Sequence, residues 1–198
     1  MTGRRLSRDG DRNADARMVQ DDVRERSMRG LFGLRESGEG RMGADVVDEF
    51  GNRYELKSAT RSGVTTARDV GIHTINRWRT RYWVICRGRN TGEGFIIHEC
   101  RFLAPSMMEG WLSGLEAVMR RDLDLLQRVI ETIKDGNFTD EEIARLEYLV
   151  RRGYMINNPK IPWRYIEEYG QFLDISAHAP QSLRRLVERH PLTTHSGA

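Results

Sequence analysis

Asp45, Glu55 and Lys57 put two carboxylates and one ammonium into a short stretch of chain. Carboxylate pairs of this kind suit a hard divalent ion such as Mg²⁺, which takes oxygen ligands and keeps several of its waters. An ammonium beside them suits a phosphate. Such a set requires elements that bring distant residues to one face. Gly43 to Val47 reads as a short strand, 48–52 carries turn chemistry in Asp48, Gly51 and Asn52, and Arg53 to Ser58 reads as the returning strand. Side chains alternate along a strand, so Glu55 and Lys57 share a face while Leu56 points away, and the hairpin returns Asp45 to their side.

Glu-x-Lys on a strand also occurs as a solvated ion pair of little energetic weight. Lysine usage argues for more. Of 32 basic residues only Lys57, Lys134 and Lys160 are lysines. A genome biased toward arginine codons explains that preference without any function. A compact ammonium kept at position 57 is nevertheless what a phosphate-facing role requires, because a guanidinium fork differs in shape and hydration.

Asp45, Glu55 and Lys57 match the Asp…Glu-x-Lys signature of the PD-(D/E)xK nucleases, and further islands make the match more specific. Gly-x-Asp-x-Val-Asp…Gly-x-x-Tyr-Glu-Leu-Lys-Ser, from Gly43 to Ser58, resembles the catalytic hairpin of the PvuII-like type II restriction endonucleases. Ile156-Asn157-Asn158-Pro159-Lys160-Ile161-Pro162, followed by Tyr165 and Glu168-Tyr169-Gly170, resembles the same family's DNA-reading segment. Trp83-Val84-Ile85 and Arg87-Gly88 resemble a core strand between the two, and Gln20-Asp21 stands ahead of Asp45 as an equivalent pair does there.

The resemblance implies an α/β (α+β) restriction-endonuclease-like core, a central mixed β-sheet flanked by helices. It implies Mg²⁺ held by Asp45, Glu55 and the backbone carbonyl of Leu56, with Lys57 completing the catalytic set. The partner implied is double-stranded DNA with a palindromic site, cut by a homodimer into products with 5′-phosphate ends. Asn157 and Asn158 stand where the family contacts bases, and an Asn amide pairs well with adenine N6 and N7. Asn-Pro alone would equally mark a turn. Lys160 is assigned to a phosphate. Thr66 belongs to the same DNA-facing set, and Asp21 resembles an aspartate close to DNA. One loop departs from the family: Ala67-Arg68-Asp69 stands in place of a histidine run that helps read the central bases. Arg68 suits guanine O6/N7, and Asp69 can accept from cytosine N4, so a different target sequence is expected. Trp78 replaces a tyrosine near the family's active site.

The remaining chain is compatible with one domain of 198 residues. A net charge of +3, with 31% charged residues, leaves room for a basic face. No apolar run approaches the roughly 18 residues of a membrane helix, and the first 17 residues lack the apolar core of a secretory signal. Residues 1–16 read as a mobile arm, 17–176 as the endonuclease domain and 177–198 as a C-terminal extension with a helix over Pro180 to Arg189. Within the domain, 17–34 reads as a helix, 63–69 as a polar loop, about 72–80 as a helix, and 82–86 and 94–98 as strands. Residues 107–134 form a long helix burying Leu112, Leu115, Val118, Leu125, Val129 and Ile133. Thr139 and Glu142 have capping-box spacing ahead of a second helix. This helical insertion, about 106–152, has no counterpart of that length in the family. Cys86 and Cys100 lack a metal-binding spacing and read as reduced core thiols, pointing to a bacterial or archaeal cytoplasm.

Two other readings use the same residues. A monomeric or structure-selective repair or nicking nuclease can carry the same hairpin. A DNA-binding protein without catalysis can carry Asp45, Glu55 and Lys57 as a surface ion cluster.

Overall fold

A computed structural model describes residues 23–38, 44–59, 63–91, 94–136, 138–151 and 156–192. Asp21, Gly43 and the expected N-terminal arm lie outside these residues. The first helix, α1, is described over 23–32. A six-stranded sheet follows, in the order β1 (Arg35–Glu36), β2 (Val46–Val47), β3 (Arg53–Ala59), β5 (Tyr82–Thr91), β6 (Gly94–Leu103), β8 (Gln171–Leu173). The β3–β5 pair is parallel and the others antiparallel, so the sheet is mixed as expected. The parallel pair needs a crossover, and α2 (Ile72–Trp78) lies within it.

Alternation along β3 and β5 splits the core between the two sheet faces. Tyr54, Leu56, Tyr82 and Val84 pack with Met28 and Phe32 of α1 and with Leu183, Leu186 and Val187 of α6 (Ala179–Arg189). Trp83 and Ile85 pack on the other face against α2, α3 (Pro105–Lys134) and α5 (Trp163–Tyr169). The C-terminal helix is therefore part of the main core, and the Tyr82 hydroxyl ties it down by donating to the His190 carbonyl at 2.9 Å.

Three expectations need correction. The stretch 63–69 is not all loop: Gly63–Thr65 is a strand, β4, paired antiparallel with β7 (Lys160–Pro162) in a second, two-stranded sheet. Its partner lies nearly a hundred residues away, so local sequence gives no hint of it. Cys86 and Cys100 are joined in a disulfide, with Cα atoms 4.1 Å apart. The cause is register. Gly88 pairs with Ile97 but Arg87 pairs with Glu99, so one extra residue on β6 shifts the ladder and brings Cys86 opposite Cys100. The thiol argument for a reducing compartment falls with it.

The third correction concerns α3. Leu112 is fully buried, but Val118, Leu125 and Val129 are exposed, and Met119 and Ile130 take the inward positions. At 30 residues α3 is about 45 Å long. Its far end meets α4 (Asp140–Arg151), and Met119 packs into the core formed with α2 and α5. The capping box is present: Thr139 Oγ1 accepts from the Glu142 N–H at 3.3 Å, and the Glu142 carboxylate accepts from the Thr139 N–H at 3.0 Å. Among the described residues no helix is long and apolar enough to cross a membrane.

Candidate active site

The β2–β3 hairpin is fixed by Asp48. Its carboxylate accepts from the Phe50 and Asn52 N–H groups, both at 2.9 Å, and from Asn52 Nδ2 and the Tyr54 hydroxyl, both at 2.8 Å. Gly51 takes φ +84° in the turn, a conformation that costs other residues strain. Burial, reinforced by Asp48, holds the Tyr54 phenol above its ordinary range, so it stays a neutral donor. Val46 pairs with Tyr54, which leaves Asp45 beside Glu55. The ladder continues there, with the Asp45 N–H donating to the Tyr54 carbonyl at 3.1 Å.

Asp45, Glu55 and Lys57 are brought together. Lys57 Nζ donates to Asp45 Oδ2 at 2.9 Å and to Glu55 Oε2 at 3.3 Å. Asp45 Oδ2 also accepts from the Leu56 N–H at 2.8 Å, so the residue whose side chain points away still orients the site through its backbone. Exposure decreases inward: the Asp45 side chain is 28% exposed, Lys57 16% and Glu55 6%. Burial disfavours the Lys57 ammonium, but Asp45 and Glu55 outweigh it and raise the proton affinity of Lys57 above its ordinary value. Burial raises the Glu55 carboxyl above the usual carboxylate range, against the pull of Lys57.

Sequence reasoning missed Arg81. This guanidinium is 5% exposed and pairs with Glu55 Oε1 from the end of β5 next to β3. The one available signal was a charge directly ahead of the apolar run Tyr82 to Cys86. Trp78, itself buried, meets Trp83 edge-on at 5.3 Å and Trp111 at 5.9 Å, so the expected aromatic packing lies behind the site.

A cleft of about 960 Å³ opens in front. Asp45, Leu56 and Lys57 line it together with Thr66, Arg68, Asn158 and Lys160, and so do Arg24 and Glu25 of α1, which sequence reasoning did not single out. The β4–β7 ribbon explains the convergence. Thr65 pairs with Lys160, and Val70 bridges Ile156, so residues 66–69 and 157–159 form two facing loops between these pairings. The Thr66 N–H and hydroxyl both donate to the Pro159 carbonyl, at 3.2 and 2.8 Å. Each loop contains one residue in the left-handed region, Asp69 at φ +52° and Asn158 at φ +51°, of the two types that tolerate it best. Asn157 and Asp69 are exposed but are not among the residues lining the cleft. The ribbon is anchored from behind, where Trp111 Nε1 donates to the Lys160 carbonyl at 3.2 Å and Ile161 is buried.

The donor set fits a hard divalent ion. Asp45 Oδ1 takes no bond from a described residue, and the longest contact in the cluster is the one on Glu55 Oε2. Among the described residues no group of three or more metal-ligating side chains forms, and an ion such as Mg²⁺ held by two carboxylates keeps several waters.

No curated protein matches the chain. The family model of restriction endonuclease PvuII matches residues 19–127, a span that takes in the hairpin, Arg68, the β5–β6 pair and most of α3. The chain belongs to the PvuII restriction endonuclease family.

Proposed function

We propose that this chain is a type II restriction endonuclease, a Mg²⁺-dependent hydrolase that cuts double-stranded DNA at a palindromic site and leaves 5′-phosphate ends. The carrying observation is the single cleft in which Asp45 and Lys57 share walls with Thr66, Arg68, Asn158 and Lys160. Asp45, Glu55 and the Leu56 carbonyl hold the ion. Magnesium bound there supplies positive charge to a nonbridging phosphate oxygen and makes a coordinated water more acidic.

The chain's own groups do the rest. Lys57, which donates to both carboxylates, orients the attacking water or helps deprotonate it and offsets charge on the phosphate. The water oxygen bonds to phosphorus as one of its protons passes to solvent, the P–O3′ bond breaks, and the 3′ oxygen takes up a proton from solvent. Asn157 and Asn158 read adenine edges, and Lys160 binds a phosphate. Arg68 reads guanine, with Asp69 accepting from cytosine or steadying the guanidinium. Thr66 and Asp21 complete the DNA-facing set. A two-fold homodimer matches a palindrome. Restriction acts where foreign DNA meets the host genome, which places the enzyme in a bacterial or archaeal cytoplasm.

Asp45→Asn and Lys57→Ala test the reading. Each is expected to lower Mg²⁺-dependent cleavage of plasmid DNA by roughly 100-fold or more, while DNA binding in Ca²⁺ is retained. Cleavage near the wild-type rate in either variant removes this hairpin from the active site.

A further inference from the structure

Glu55 is held by two cations at once. Arg81 occupies its Oε1 and Lys57 donates to its Oε2 at 3.3 Å, so both oxygens are engaged before any ion arrives. Arg81 and Glu55 are each 5% exposed, the two buried charged residues among those described. Burying a guanidinium carries a large desolvation cost, and an apolar side chain is the ordinary solution at such a position. The residues that follow Arg81 favour that solution: Tyr82 and Trp83 are at most 1% exposed, although Thr80 before it is exposed. Lys57 already offers Glu55 an ion pair, so pairing alone does not require a second cation. An arginine, moreover, keeps its charge at any working pH.

Two carboxylates, Asp45 and Glu55, thus face two cations, Lys57 and Arg81, so these four side chains sum to zero charge. A divalent ion at Glu55 meets an opposing guanidinium within the protein, where charges interact much more strongly than in water. We propose that Arg81 is the resident counter-ion of Glu55: it neutralises that carboxylate whenever no ion is bound, and it thereby weakens divalent-metal binding at this centre. The inference rests on Asp45 and Glu55 being the metal ligands. Arg81 is on this account a positioning residue, acting through Glu55 and not on DNA.

The test is Mn²⁺ binding to the full chain without DNA, followed by the electron spin resonance of the free ion, with melting temperature recorded with and without Mn²⁺. Arg81→Met is expected to bind Mn²⁺ at least about tenfold more tightly than wild type. It should melt lower without metal and gain more in melting temperature on adding Mn²⁺, because the ion binds the folded state selectively. Arg81→Lys retains the charge and should stay within about threefold of wild type. The double variant Glu55→Gln, Arg81→Met removes both charges and should recover the metal-free melting temperature, which keeps the idea testable if the single variant folds poorly. An Arg81→Met affinity equal to or weaker than wild type overturns the proposal, as does a double variant no more stable than Arg81→Met. Asp45→Asn separates the two levels of failure. Mn²⁺ binding that is indifferent to Asp45→Asn overturns the metal reading itself, and this inference with it.

Discussion

Lys57 lies where two carboxylates of unequal burial meet, and its ammonium bridges Asp45 and Glu55 much as a cation ligand would. Residues of the facing loops are proposed instead to carry sequence information. Replacing Asn158 with alanine should weaken binding to the cognate site by about 1–3 kcal/mol, typical of one base contact, with little change on random DNA. Equal losses on both would mark Asn158, at φ +51°, as the turn its Asn-Pro context allows. Lys160→Ala should lower affinity on every sequence and flatten the salt dependence, as a phosphate contact does. Arg68→Ala should relax discrimination at one base pair per half-site, and an unchanged site preference would remove it from the readers. At this scale the sequence was legible where strand alternation governs: Asp45, Glu55 and Lys57 converge because a period of two and one hairpin require it. Arg81 was not legible, since it lies 26 residues from Glu55 in sequence and reaches it only through the parallel β3–β5 pairing.

Elements place these residues through a few clamps. Arg79, at the end of α2, binds Glu109 on α3 at 2.8 Å and Glu116 at 2.6 Å, fixing the crossover helix against the long one. Its hydrogen bonds hold both carboxyls below their ordinary range. A depressed carboxyl contributes stability above its unfolded value and loses it as pH falls through the folded one. Arg79→Ala should therefore cost about 1 kcal/mol at pH 7, a modest figure because Glu109 is half exposed. The gap to wild type should narrow as pH falls below the ordinary carboxylate range and close once the depressed carboxyls of the wild type are protonated as well. Chemical denaturation at pH 7 and pH 3 measures it, and a gap that persists in acid would mean lost packing instead of lost charge. Helix positions and the α4 capping box were legible from local periodicity and cap residues. The β4–β7 ribbon, the Cys86–Cys100 pairing and the outward stripe of α3 were not, because each depends on a long-range partner, a one-residue register shift or the elements that pack on a long helix.

For the whole molecule, the mixed sheet is a partition. One face is closed by α1 and α6, and the other by α2, α3 and α5. The β2–β3 hairpin lies near one edge of that sheet, where the β4–β7 ribbon can face it across the cleft. On the proposed function chemistry and recognition would occupy different sheets, so that loop 66–69 could change its bases without disturbing Asp45, Glu55 and Lys57. The central claim is that these two sheets act on one DNA molecule as a sequence-specific nuclease. Sequencing the ends produced from plasmid DNA in Mg²⁺, with Asp45→Asn in parallel, tests it most directly. The account predicts double-strand breaks at one fixed palindromic site, 5′-phosphate ends, and no such ends from the variant. Scattered nicks, ends with no common sequence, or equal cutting by Asp45→Asn would contradict it.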